Sequence, residues 1–152
     1  MSAIRRATAT WQGNLTEGSG TVSTASSSVF SDLPVTWAAR TEESGGGKTS
    51  PEELVAAAHA ACYAMAFSNN LAKNGTPPRR LDTSATVTFD KTDAGWRVIS
   101  SALTVRGDVP GIDAEKFKEI AEVAKDGCPI SNALKGNVQL SVEASLETLA
   151  AR

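Results

Sequence analysis

The sequence predicts an α+β protein: an antiparallel sheet with a few helices, organised around one long, buried central helix. Three observations carry this. Residues 49–75, TSPEELVAAAHAACYAMAFSNNLAKNG, are rich in helix formers and lie between clear start and stop signals. Residues 81–90 and 96–107 alternate apolar and polar side chains with the period of a strand. A second helical pattern over 114–126 precedes a last alternating stretch at 137–147. Strands follow strands and helices follow helices, rather than alternating one by one, which is the α+β pattern.

Length and charge narrow the function classes. The 152 residues suit one domain, 1–152, with a core of its own. The net charge is −2 and no basic run is interleaved with aromatics, so no nucleic acid is expected as a partner. The start, MSAIRRATATWQ, lacks the apolar stretch of a signal peptide, and no apolar run approaches the ~18–20 residues that cross a bilayer. A cytoplasmic protein with no membrane contact is expected. Two cysteines in such a chain read as catalytic, redox-sensing or merely buried, because stable disulfides are rare in that compartment. One histidine and two scattered cysteines make a poor metal set.

Taken in order, residues 4–11 read as a strand that turns at Gln12-Gly13-Asn14 and pairs with 19–25. Residues 26–33 are serine-rich and ambiguous, and Val35-Thr36-Trp37 is a short strand leading to Arg40. Residues 41–49, TEESGGGKT, form a polar loop with three glycines. In the long helix, Ser50 is the N-cap, Pro51 suits the first helical position, and Glu53 completes a capping box. Asn74-Gly75 and Pro77-Pro78 stop it. Apolar residues cover most of its surface, which predicts burial nearly all round, and its alanines admit a close neighbour such as a second copy of the helix. The two alternating stretches form a hairpin around Lys91–Gly95. Asp113 caps the second helix, whose core face carries Phe117, Ile120, Ala121 and Ala124. Cys128-Pro129 opens a short third helix over 129–135, with Cys128 as its N-cap.

Few residues can carry chemistry. A thiol is a nucleophile only as thiolate. Cys62, in mid-helix, gains nothing from its own helix dipole and needs a cation beside it; the ordinary alternative is a small buried hydrophobe. Cys128, at a helix start, has the dipole in its favour; the ordinary alternative is a plain cap. A permanent disulfide between them would close a loop of roughly 66 residues and contribute about 4 kcal/mol. A pair cycling between dithiol and disulfide suits a reducing compartment better, with either cysteine attacking. Arg40 is a candidate to hold a thiolate and Glu52 to orient its guanidinium, although glutamate in a first turn is common for dipole reasons alone. Lys48 is a substitute cation that orients less well. His59 lies three residues before Cys62 on the same helix face, as a general base or, more ordinarily, a hydrogen-bonded structural residue.

The segments PEEL, AAHAAC and GCPISNAL together resemble the two cysteine motifs of the OsmC/Ohr family, osmotically inducible protein C and organic hydroperoxide resistance protein, in order and spacing. ATWQGNLTEGSGTVST, FDKTDAGWRV and VPGIDAEKF resemble the OsmC branch, so that the resemblance spans nearly the whole chain. It implies an intertwined α+β homodimer with the long helix at its centre and active sites at the interface. It implies a peroxidase for organic hydroperoxides, with Cys62 as peroxidatic and Cys128 as resolving cysteine. Arg40 and Glu52 become the activating pair. No metal or prosthetic group is implied, and electrons come from an external dithiol, with lipoylated proteins implied for the family. The chain departs from the family pattern at Thr41, where an aromatic usually follows the arginine, and in the longer loop around Gly45–Gly47.

Helix geometry adds one constraint. Glu52 and Cys62 are ten residues apart, about 15 Å along a continuous helix, beyond a glutamate's reach. If both serve one site, Glu52 comes from the partner subunit. An apolar wall for an organic peroxide is expected, with Met65, Phe67, Leu54 and Ile130 as candidates. Three other readings make different demands: a thiol hydrolase or transferase using Cys62 and His59, a non-catalytic redox-sensing or ligand-binding module, and a purely structural dimer with inert cysteines.

Overall fold

The computed structural model describes residues 1–147. The chain divides into two compact units, Met1–Leu54 and Val55–Arg152.

In the first unit, β1 (Ala7–Gln12), β2 (Ser19–Thr24) and β3 (Leu33–Val35) form an antiparallel sheet in that order. The β1–β2 hairpin needs glycine where Trp11 lies across it: a Cβ at Gly20 would run into the Thr10 carbonyl and the Trp11 ring. The expected strand at Val35–Trp37 is corrected. β3 ends at Val35, and Trp37–Thr41 is a short helix, α1. The reason is a cap: Thr36 is extended, and its hydroxyl accepts from the Ala39 N–H at 3.2 Å. In the glycine loop that follows, Gly46 and Gly47 take φ of +60° and +76°, a conformation that side chains resist.

The long helix α2 runs from Pro51 to Lys73. The Ser50 hydroxyl accepts from the Glu53 N–H at 3.1 Å, as expected. The reciprocal half of the box is replaced, because the Glu53 carboxylate accepts from the Thr49 hydroxyl at 2.7 Å. The stop is a Schellman pair: Gly75 N–H donates to Ala72 O, and Thr76 N–H to Leu71 O. Within the single chain the burial of α2 is one-sided. His59, Tyr63, Phe67 and Leu71 are buried, whereas Ala57, Ala58, Ala61 and Met65 are exposed. That second face is mostly alanine, with Met65 as its one large apolar side chain among those named.

In the second unit, β4 (Arg80–Thr92) and β5 (Gly95–Asp108) form a long antiparallel hairpin with a bulge at Thr88/Phe89. Then come α3 (Ala114–Gly127), capped by Asp113 onto the Lys116 N–H, the short α4 (Pro129–Leu134), and β6 (Gln139–Leu146). The sheet order is β4-β5-β6. The expected all-antiparallel sheet is corrected, since β6 pairs parallel to β5, from Ser100↔Gln139 to Gly107↔Leu146. A connection through two helices can return the chain to the end where β5 started; a hairpin cannot.

The core of this unit joins Tyr63, Phe67 and Leu71 of α2 to Leu103 and Val105 of β5, Phe117, Ile120, Ala121 and Ala124 of α3, and Ala144 of β6. Phe67 packs between Tyr63 and Phe117, with ring centroids 5.6 and 5.0 Å away. Truncating such a ring costs about 3–5 kcal/mol. Gly107 gives Phe117 room; a Cβ there would lie 2.7 Å from the ring.

Candidate active site

In the second unit the two cysteines meet. α2 delivers Cys62, half-buried; the start of α4 delivers Cys128, fully buried as part of the core. Both are free thiols. Cys128 is the N-cap of α4 by position, but its side chain makes no capping hydrogen bond. The α4 amide of Ile130 instead donates to the Cys62 sulfur. Cys62 therefore borrows the N-terminal end of a helix other than its own.

Three influences act on the Cys62 thiol. Burial, the largest, pushes its pKa up; the Ile130 N–H pulls it down; the hydrogen bond and charge of Cys128 push it up again. The sum lies above the ordinary thiol value, and none of the three is a cation. A neutral thiol held this way is a poor nucleophile until a positive charge faces it.

His59 is fully buried on α2, with both ring nitrogens engaged. Nδ1 lies 2.7 Å from the Ser101 hydroxyl on β5, and Nε2 lies 2.8 Å from the Ser131 hydroxyl on α4. Burial lowers its pKa and keeps the ring neutral. With both nitrogens taken, His59 has no lone pair to offer Cys62, which removes the basis of the Cys62–His59 hydrolase reading. Neither serine stood out in the sequence. The one available signal was spacing, since Ser131 follows Cys128 by three residues as His59 precedes Cys62 by three.

In the first unit, Arg40 and Glu52 form a closed pair. Arg40 Nη2 donates to Glu52 Oε1 at 2.6 Å, and Arg40 Nε lies 3.2 Å from both carboxylate oxygens. Glu52 is buried in the first turn of α2, and the Arg40 side chain is 28% exposed. The guanidinium carbon stands 5.4 Å from the centre of the Trp37 ring. A ring below and a carboxylate beside fix the plane of the guanidinium. Lys48 is exposed in the glycine loop.

Beside Arg40 opens an apolar cavity of about 280 Å³, lined by Trp11, Leu15, Val35, Thr36, Trp37, Arg40 and Pro51. None of its apolar residues was among the expected wall candidates. Of those, Phe67 is wholly buried in the core, Ile130 packs against that core, and Met65 lines a separate groove with Arg79 and Arg80. Among the described residues no three His, Cys, Asp or Glu side chains gather as a metal site, and no helix is long and apolar enough to cross a membrane.

The family described as OsmC-like protein matches residues 44–143. Peroxiredoxin OsmC of Escherichia coli (strain K12) is 43% identical over 143 residues, which cover 94% of this chain and 98% of that protein. Organic hydroperoxide resistance protein OhrB of Bacillus subtilis (strain 168) is 30% identical over 104 residues, 67% of this chain and 74% of that protein. The crystal structure of OhrB of Bacillus subtilis superposes with a TM-score of 0.72 at 23% identity, covering 92% of this chain and 98% of that one, a likeness of fold. The family match and the near full-length relatives place the chain in the OsmC family.

Proposed function

We propose that this protein is a cysteine-based peroxidase that reduces organic hydroperoxides, and hydrogen peroxide less efficiently, to alcohols. The observation that carries the reading is the meeting of Cys62 with Cys128 under the Ile130 N–H. A peroxide oxidises one thiol, and the second is already in place to receive it. The names of the relatives, a peroxiredoxin and organic hydroperoxide resistance proteins, point to the same chemistry.

The steps balance as follows. The Cys62 thiolate attacks the outer oxygen of ROOH; the O–O bond breaks, and ROH leaves with one proton from solvent. Cys62 becomes a sulfenic acid. The Cys128 thiol attacks that sulfur, the S–O bond breaks, and water leaves with the thiol proton, giving the Cys62–Cys128 disulfide. An external dithiol, such as that of a lipoylated protein, restores both thiols by exchange and is itself oxidised to a disulfide.

The cation that Cys62 lacks is Arg40 of a partner subunit in a homodimer. α2 is continuous from Pro51 to Lys73, so Glu52 and Cys62 lie about 15 Å apart along it. Arg40 is bound to Glu52, so the two travel together. The exposed Ala57, Ala58, Ala61 and Met65 face of α2 supports a close, intertwined helix contact between copies. The cavity beside Arg40 would take the organic part of the substrate. We place this homodimer in the cytoplasm and read the whole chain, 1–152, as a single domain.

The test is dithiol-dependent reduction of cumene hydroperoxide beside hydrogen peroxide, for wild type and Cys62→Ser. Turnover that favours the organic substrate and disappears in the variant supports the reading. A folded wild type with no turnover on any dithiol leaves the fold without this activity.

A further inference from the structure

The polar contact between α2 and α4 runs beside the thiol contact. His59 precedes Cys62 by three residues on α2; Ser131 follows Cys128 by three on α4. On α2 the imidazole and the thiol share a face about one turn apart; Cys128 is the extended N-cap of α4, and Ser131 lies in that helix's first turn. The His59 Nε2–Ser131 bond of 2.8 Å is thus a second tie, one turn along, between the same two helices whose sulfurs touch.

α4 needs such a tie. It has six residues, too few to be stable by itself, and it ends at Lys135 before Gly136, whose φ is +92°. The other ring nitrogen bonds Ser101 on β5, the middle strand of its sheet. The imidazole therefore links α4, through α2, to the sheet. Each serine hydroxyl can donate or accept, so a neutral ring completes both bonds in either tautomer. His59 does not touch the reacting sulfurs in this scheme.

Resting on the hydroperoxide-reducing reading above, we propose that His59 is a positioning residue for the resolving step. Through Ser131 it holds the start of α4, and with it Cys128, where a Cys62 sulfenic acid is captured as disulfide before a second peroxide reaches it. Two reactions compete for the sulfenic acid. Capture by Cys128 forms an S–S bond and releases water. A second ROOH transfers one oxygen, giving the sulfinic acid and ROH, which a dithiol does not reverse. The first is intramolecular and depends on placement, where a shift of about 1 Å can cost on the order of 100-fold. The second depends on peroxide concentration alone.

The experiment treats reduced protein with rising cumene hydroperoxide in the absence of dithiol and reads disulfide against Cys62 sulfinic acid by intact mass. Ser131→Ala cuts the tie to α4; Ser101→Ala cuts the other bond and leaves that tie in place. Ser131→Ala is expected to raise the sulfinic fraction at a given peroxide dose about tenfold, and Ser101→Ala less than about twofold. Ser131→Thr, which keeps the hydroxyl, restores the wild-type partition, and His59→Gln follows Ser131→Ala. If Ser131→Ala fails to fold, His59→Gln against Ser101→Ala gives the same contrast. A purely structural role would lower the melting temperature of both serine variants and move neither partition; that result overturns the proposal while wild type still forms disulfide. A wild type that forms neither product overturns the peroxidase reading first, and this proposal with it.

Discussion

Ile130 and Cys62 stand as donor and acceptor: an amide in the first turn of one helix points at the sulfur in the middle of another. This contact favours the thiolate, but burial and Cys128 outweigh it, so the thiol stays above its ordinary pKa within the chain's own surroundings. A charge must come from elsewhere for the sulfur to work near neutral pH.

Alkylation of Cys62 reports its thiolate fraction. A raised pKa means that this fraction is small below it and grows as pH rises through it. Arg40→Ala, by withdrawing the cation, is expected to shift the alkylation profile of the proposed dimer to higher pH. Arg40→Lys should fall between, since a point charge cannot make the bidentate bond to Glu52. Arg40→Ala also leaves buried Glu52 unpaired, at a cost of about 3 kcal/mol in stability, read by denaturant titration. Profiles that overlay would remove Arg40 from the thiol's environment.

Mixing subunits tests where Arg40 acts. Cys62→Ser and Arg40→Ala homodimers should each be nearly inactive. After subunit exchange, a heterodimer keeps one site with an intact Cys62 from one chain and Arg40 from the other. Random pairing then restores about a quarter of wild-type activity, because half the dimers carry one good site of two. No recovery after verified exchange would assign Arg40 and Cys62 to the same chain.

The cavity beside Arg40 separates substrates by their organic part. Trp37→Ala should raise KM for cumene hydroperoxide by roughly tenfold, since an aromatic contact is worth on the order of 1–2 kcal/mol. Its effect on hydrogen peroxide should be much smaller, because that substrate has nothing to place there. Equal losses on both would mean that Trp37 acts through the Arg40 guanidinium it supports.

His59 gives stability a pH dependence. Its folded-state pKa lies below the ordinary 6.5, so the unfolded chain takes up a proton that the folded chain refuses. Its contribution is complete above about 6.5, falls as pH drops below that value, and levels off once the depressed folded value is passed. Urea midpoints at pH 7.5 and 5 should differ for wild type by more than for His59→Gln. The same difference in both proteins would place the acid sensitivity elsewhere.

What the sequence made legible was local. Ser50, Gly75 and Asp113 mark helix ends because each makes its hydrogen bond within a few residues, and the structure keeps all three ends. Val35-Thr36-Trp37 reads as strand by β-propensity, but the Thr36 cap competes with that propensity and wins. The direction of β6 was not legible, since it depends on where two helices set the chain down, not on alternation within the strand. The Arg40–Glu52 pair was reachable from charge and position; its cavity was not, because Trp11 arrives from a different strand. The Ile130 amide and the two serines on His59 are through-space partners that no periodicity announces.

The parallel pairing of β6 with β5 has a consequence for how the protein is made. Cys62 leaves the ribosome well before Cys128, and its eventual neighbour depends on contacts between distant parts of the chain, from Ser100↔Gln139 onwards. Such pairings close large loops and form late. A newly made chain therefore passes through an interval in which Cys62 is present and Cys128 is not beside it. Cys62 is then an ordinary thiol, and its meeting with Cys128 waits on the folding of the segments that follow it in the chain.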